Sequence, residues 1–330
     1  MTDIRCQMTQ VRFLSYALCL LTSVLCLLTT GCGPKYSYPG SKVPTAIEDI
    51  NRKEYKIESA ARVVGKTVGA VVYVDSMVDA KGQVSKDVHE TMGKIMQAVT
   101  RVALSTDLPL DFCTVVIRDK QHDNELVITR SLDDTKRANA EAIGIEESIN
   151  RTVFGQGKYK RDAEHPNSFV LKEVKLENFL NEQIVQRIRF SFSKDANPEE
   201  MLHNSILVDG VFDNELGKRS FRFSMISIKT DNPKKNILSI FRIINDVLKS
   251  YSFNDFDKVE IQDYLNRKKL VVDRQTILDY QQKKITEDQI FEKCLVESQS
   301  IQEAFKLFGF SLPQESSSDK DAAVPRPATP

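Results

Sequence analysis

Four histidines, His89, His122, His165 and His203, are the side chains best suited to bind a metal or move a proton near neutral pH, and no two stand at metal-ligand spacing. His89-Glu90 continues as Thr91-Met92-Gly93, not as the second histidine of a zinc-protease helix. His122 falls in a short polar stretch between two apolar runs, a loop position. Gly155 and Gly157, in Phe154–Tyr159, lack the spacing and the preceding strand that would let backbone N–H groups cradle a phosphate, so the stretch reads as a loop. No Gly-x-Ser-x-Gly elbow occurs. Asp133-Asp134 is a carboxylate pair, but acid–base work needs a cleft that drives two pKa values apart, and adjacency does not supply one. No catalytic, cofactor or metal residue is assigned, and no cofactor is expected.

The cysteines carry more. Cys6, Cys19 and Cys26 lie in or before an apolar N-terminal run, Cys32 closes it, and Cys113 and Cys294 stand in the body. In an oxidising compartment the last two could pair. The reading here is two separate buried thiols, because Cys113 shares a strand face with Val115 and Ile117. Arg5 and Arg12 precede an apolar run, Phe13–Leu28, that ends in small residues, the layout of an export signal. Leu28-Thr29-Thr30-Gly31-Cys32 resembles the lipobox of bacterial lipoprotein precursors, with Gly31 before the cut and Cys32 after it; Thr29 replaces the leucine usual at −3. The resemblance implies cleavage between Gly31 and Cys32 and acylation of Cys32, so the expected partner is membrane lipid. Two or three acyl chains make such anchoring effectively permanent, since one chain binds only reversibly. In a Gram-negative cell, Gly33 in place of the aspartate that retains lipoproteins at the inner membrane points to the outer membrane. The alternative is an uncleaved anchor, for which residues 13–30 lie at the lower length limit.

The elements come from a repeat. Asp111–Arg130 aligns without gaps to Asp255–Arg274 at an offset of 144, with eight of twenty positions identical, where chance gives about one. The matches include Phe112/Phe256, Val115/Val259, Ile117/Ile261, Asp119/Asp263 and Arg130/Arg274. Upstream, Met96, Val99, Ala103 and Leu104 repeat as Ile240, Ile243, Val247 and Leu248, the stripe of an amphipathic helix. A strand precedes each helix, at 68–75 and 221–228, and a helical stretch follows each hairpin, at about 132–153 and 275–285. The first copy is longer by roughly Ser76–Ser85. Lys258 and Glu260 alternate with Val259 and Ile261, which predicts a sheet with helices on one face and water or a partner on the other.

The expected fold is α/β (α+β): two tandem two-layer α/β sandwiches, each with a strand–helix–strand–strand unit, related by duplication. The expected domains are 1–31 (signal), 32–45 (lipidated cysteine and extended tether), 46–160, 161–312, and a disordered tail at 313–330. Between the copies, Leu176–Ile184 predicts a helix, and Ile188, Phe190 and Phe192 in alternation predict a strand. Two strands flanking Asp213–Lys218 predict a hairpin. Thr286 to Gln289 predict a capping box opening a helix toward Phe308. For the pairs Asp119, Arg130, Asp263 and Arg274, the expectation is a turn bond or ion pair closing each hairpin, since a residue kept in both halves of a duplicated scaffold serves the fold.

Lys and Arg match Asp and Glu at 46 each, and removing residues 1–31 leaves about −1. No field of one sign would draw the chain to nucleic acid. The expected function is a non-enzymatic, lipid-anchored module for interaction or assembly in the cell envelope, with an envelope protein as partner. Strand–helix–strand–strand units resemble the small periplasmic modules of secretin-type and outer-membrane assembly machines. That implies a partner adding to a sheet edge or covering a solvated face. The alternative is a solute-binding lipoprotein or hydrolase with its site between the two domains.

Overall fold

The computed structural model describes residues 37–79, 83–159, 169–193, 206–227 and 232–297. Contacts divide the chain into two compact units, residues 1–125 with 157–171 and residues 126–156 with 172–330. The fold is α/β, with two five-stranded sheets carrying helices.

The duplication extends past the aligned stretch. In chain order the first copy runs β1 (Ala60–Val64), β2 (Thr67–Val74), α2 (Lys86–Ala103), β3 (Phe112–Asp119), β4 (Asn124–Ser131), α3 (Leu132–Asn139), α4 (Ile145–Asn150) and β5 (Val153–Lys158). The second runs β6 (Ile206–Glu215), β7 (Lys218–Ser227), α6 (Pro233–Ser250), β8 (Lys258–Asp263), β9 (Lys268–Asp273), α7 (Arg274–Gln281), α8 (Glu287–Cys294) and β10 (Leu295–Glu297). Among the described residues, two α-helices lie outside the duplication, α1 (Val43–Ile50) and α5 (Leu176–Ser193). The sheets are ordered β1-β2-β3-β4-β5 and β10-β9-β8-β7-β6, the same order in both copies. β1–β2 and β6–β7 are antiparallel hairpins, and β2–β3 and β7–β8 are parallel across a helix. The copies agree in backbone detail. Asp123 and Arg267, 144 apart, both take positive φ, at 52° and 51°. Glu141 and Lys283, just past α3 and α7, do so at 56° and 60°.

The helices start where capping chemistry allows. Ser85 accepts from Val88 N–H at α2, and Asn232 from Lys235 N–H at α6, where Pro233 fills a position that needs no N–H. Thr286 and Gln289 form the reciprocal capping box of α8. On α6, Ile240, Ile244, Val247 and Leu248 are buried, and on α2 Met96, Val99 and Ala103. Cys113 and Cys294 are both buried, and Cys113 Sγ lies 3.7 Å from Met96 Sδ on α2.

Several expectations are corrected. Residues 40–45, assigned to an extended tether, hold a 3-10 turn and the start of α1, which buries Val43, Ile47 and Ile50. Phe190 and Phe192 belong to α5, not to a strand; the helical spacing of Phe179, Leu180, Ile184 and Ile188 runs through them and overrides a six-residue alternation. Gly155 and Gly157 lie in β5 rather than in a loop. The helix that the capping box opens ends at Cys294, where the chain turns extended and pairs with β9; residues 298–308 of the expected helix lie outside the described residues. The solvated face is also corrected for the first sheet, whose β2 and β3 are buried on both faces from Thr67 to Val72 and from Phe112 to Ile117. Phe169 and Leu171 are buried too, and a Cβ at Gly69 would stand 2.8 Å from Leu171 Cδ1. On the second sheet, Glu260 alternates with Val259 and Ile261 as expected, yet it is buried by its own neighbours, Lys258 and Lys269.

The β6–β7 turn gives a stability prediction. Glu215 pairs with Lys218, leaving Leu216 (φ 54°) and Gly217 (φ 78°) as a two-residue loop of type I′ character. A left-handed backbone costs an ordinary L-residue roughly 1–2 kcal/mol, and asparagine tolerates it better. Leu216 is fully exposed, so its side chain contributes no burial. Leu216→Asn is expected to raise stability by about 0.5–1 kcal/mol, read as a higher urea midpoint.

Candidate functional site

The polar side chains of α5 explain the placement of everything around them. Asn181 Nδ2 donates to Gly210 O at 2.8 Å, and Arg189 Nη2 donates to Val208 O at 2.6 Å, so α5 occupies the free edge of β6. That contact demands a glycine, because a Cβ at Gly210 would lie 2.7 Å from Val185 Cγ2. Gln186 does the same for β5: its Nε2 donates to Thr152 O at 2.8 Å and its Oε1 accepts from Phe154 N–H at 2.9 Å. One amide thus stands in for a neighbouring strand, and the edges expected to receive a partner are closed at these positions.

Beside this helix lies a buried polar network, wholly within the second unit. Arg151 Nη1 donates to Asp134 Oδ1 at 2.7 Å, and both side chains are about nine-tenths buried. Arg151 Nε donates to Glu147 Oε1 at 2.7 Å, which also accepts from Arg187 Nη2 at 2.9 Å. The Tyr251 hydroxyl donates to Asp134 Oδ2, and Gln183 Nε2 donates to the Tyr251 oxygen at 3.0 Å. The Arg151 guanidinium stands 5.1 Å from the Tyr251 ring centroid. Burial, then the Asp134 charge, pushes the Tyr251 phenol above its ordinary range. Burial works against the Glu147 carboxylate, but hydrogen bonds from Arg187 and Arg151 prevail and hold it below its ordinary value. Every charge here is matched, and the tyrosine is held protonated. The cluster joins α3, α4, α5 and the end of α6, and its chemistry is that of a clamp.

Next to the clamp is a groove of about 670 Å³. Ile145 and Ile149 of α4, Phe154 of β5, Phe190 of α5 and Ile243 of α6 wall it. Four of these are far more exposed than large apolar side chains usually are: Ile145 82%, Ile149 52%, Phe154 44% and Phe190 55%. Scattered apolar side chains on a surface need no explanation, but a cluster around one concavity marks a contact surface. The sequence conceals it, since its alternation puts Phe190 in a strand and its helical spacing puts Ile243 in a core stripe. Its one early sign is that Phe190 falls off the buried face defined by Phe179, Leu180, Ile184 and Ile188.

The residues singled out from sequence serve local structure. Asp119 is buried at the end of β3; Oδ1 accepts from Gln121 N–H at 2.7 Å and His122 N–H at 3.1 Å, and Oδ2 from Met77 N–H at 2.9 Å. His122 Nδ1 lies 3.0 Å from Oδ2; a carboxylate accepts only, so this nitrogen carries the hydrogen. Asp263 accepts from Asn266 N–H at 3.1 Å and Nδ2 at 2.7 Å. Arg130 Nε donates to Thr152 Oγ1 at 2.9 Å, and Arg274 Nη1 to Asn254 O at 3.3 Å. In the second copy Asp263 and Arg274 stand at opposite ends of the hairpin, because Asp263 pairs with Lys268 across the turn while Arg274 follows Asp273 at the far end. His89 Nδ1 contacts Ser85 O within its own helix. Gly31, Cys32, His165 and His203 lie outside the described residues, as do residues 313–330. Among the described residues no group of three His, Cys, Asp or Glu side chains is placed to hold a metal ion, and no helix is long and apolar enough to cross a membrane.

No family model matches the sequence, and no curated protein matches it. Among solved structures, the chain is similar to the crystal structure of the sex pheromone staph-cAM373 precursor at 9% identity, covering 66% of this chain and 71% of that one with a TM-score of 0.21. A likeness of that size carries no functional argument.

Proposed function

We propose that the chain is a lipid-anchored protein of the bacterial cell envelope, held by acylated Cys32, that acts as a non-enzymatic docking module for another envelope protein. The observation that carries the docking half is the groove: four large apolar side chains, exposed together, around one concavity of the second unit. Burying a side chain such as Phe190 or Ile149 in an interface would contribute up to about 1.5–3 kcal/mol, so a few such anchors are enough for a specific contact. The clamp supports the reading, since it fixes the backbone under α4 and α5 and presents the apolar wall already formed. The anchoring half rests on the sequence Leu28–Cys32 behind an apolar run.

Each half has its own test. Cys32→Ser is expected to leave unprocessed precursor and abolish incorporation of labelled fatty acid; normal processing of that variant overturns the anchor. For docking, a photo-crosslinking amino acid at position 149 in living cells is expected to give discrete adducts that Phe154→Asp removes. Absence of adducts, or adducts indifferent to Phe154→Asp, overturns the docking reading.

A further inference from the structure

We propose that the groove takes an amphipathic helix whose apolar ridge is flanked by lysine or arginine; this rests on the docking reading and names the chemistry of its partner. Three helices supply the walls, each at helical spacing: Ile145 and Ile149 on α4, Gln186 and Phe190 on α5, Ile243 and Asp246 on α6. A trough bounded by three helices is filled best by a fourth, its side chains at i, i+3, i+4 and i+7 entering between theirs. A strand has no place to pair there, because Gln186 already holds Thr152 O and Phe154 N–H.

The charges on the walls set the sign of the partner. Glu146 and Asp246 both face the groove and both are exposed. Among the described residues, no ion pair within 4 Å engages either carboxylate: Asp246 accepts from the neutral Asn245 amide at 3.3 Å, and the cation whose charge it meets, Arg242 one turn earlier on α6, gives its hydrogen bond to Glu287 at 2.7 Å. The groove's cation, Arg187, is spent on Glu147 at 2.9 Å. What remains is an apolar trough edged by two negative charges, complementary to a ridge edged by positive ones. An anionic amphiphile would meet both carboxylates and find the arginine already occupied. A second copy in a two-fold contact would bring the same pair of carboxylates against the first.

The test uses the full chain in phosphatidylcholine nanodiscs, with empty discs as background, and two synthetic 16-residue helices. Both carry one Leu/Phe ridge; one is flanked by lysines, the other by glutamates. The basic helix is expected to bind at least ten-fold tighter, Phe190→Asp to weaken it at least ten-fold, and Glu146→Lys with Asp246→Lys to invert the preference. Phe190 is over half exposed, so its variant keeps the fold, which circular dichroism checks. Equal binding of the two helices, lost in Phe190→Asp, leaves docking standing and overturns the charge inference. Binding indifferent to Phe190→Asp overturns the groove itself. Binding that appears only after residues 298–330 are deleted assigns the groove to the chain's own C-terminal segment. A concentration-dependent dimer lost in Phe190→Asp, seen by sedimentation, assigns it to a second copy. Either result overturns the proposal.

Discussion

Arg151→Met is expected to lower stability by about 3 kcal/mol, because breaking a buried ion pair leaves the Asp134 carboxylate in the interior with only the half-exposed Arg137 guanidinium, at 3.9 Å, as counter-charge. Asp134 would keep the Tyr251 hydroxyl but lose the guanidinium at 2.7 Å, and Glu147 would lose one of its two arginines. With a urea dependence of about 1–3 kcal/mol per molar, the midpoint should fall by about 1 M or more. The compensating variant separates charge from packing. Asp134→Leu combined with Arg151→Met removes both members and is expected to recover at least half of the loss, since two apolar groups in place of a buried pair are often neutral. If the double variant is as unstable as the sum of the singles, the two residues act independently and the clamp is not a unit. The clamp also predicts where damage spreads. Arg151 ends α4, and α4 carries Ile145 and Ile149, so single variants should blunt docking while leaving the exposed apolar residues in place.

The extent to which the sequence foretold this follows from the range of the forces involved. Periodicity and capping are local, and they located α2, α6, α8's capping box and the strands beginning near Val68 and Phe221. The repeat was legible because Phe112/Phe256 and Ile117/Ile261 occupy the same core position in both copies. What failed was decided at long range. The β2–β3 pair alternates weakly, and only the arrival of Leu171 over Gly69, about a hundred residues downstream, makes both faces interior. Three polar side chains of α5 have their partners outside any local window of sequence. They are there because Asn181, Gln186 and Arg189 serve the backbone of β5 and β6. The groove combines positions from 145 to 246, and no window of sequence contains it. Asp134, read only as half of an acidic pair, becomes a clamp residue once Arg151 and Tyr251 are brought to it.

Asp119→Ala is expected to cost about 3 kcal/mol. Both Asp119 and the aligned Asp263 close a hairpin turn, and Asp119 also holds a backbone donor from outside its turn. Its Oδ2 holds Met77 N–H, at the head of the segment by which the first copy exceeds the second. That segment folds back on itself through Asp79 N–H to Gln83 O at 2.8 Å and Ser85 N–H to Met77 O at 3.0 Å. Losing Asp119 therefore strands a buried donor as well as the turn. The sign of the pH dependence follows from the carboxyl. Burial alone would raise its pKa, but the donors from Met77, His122 and Gln121 prevail and hold it below the ordinary value. A lowered folded pKa contributes stability in full above the unfolded value of about 3.9, and that contribution fades as pH falls through the lower folded value. The gap between the wild-type chain and Asp119→Ala, measured by urea unfolding, should be widest near pH 7 and close progressively below about pH 4. A gap that persists unchanged to pH 2 would mean that the charge on Asp119 is not what holds the turn.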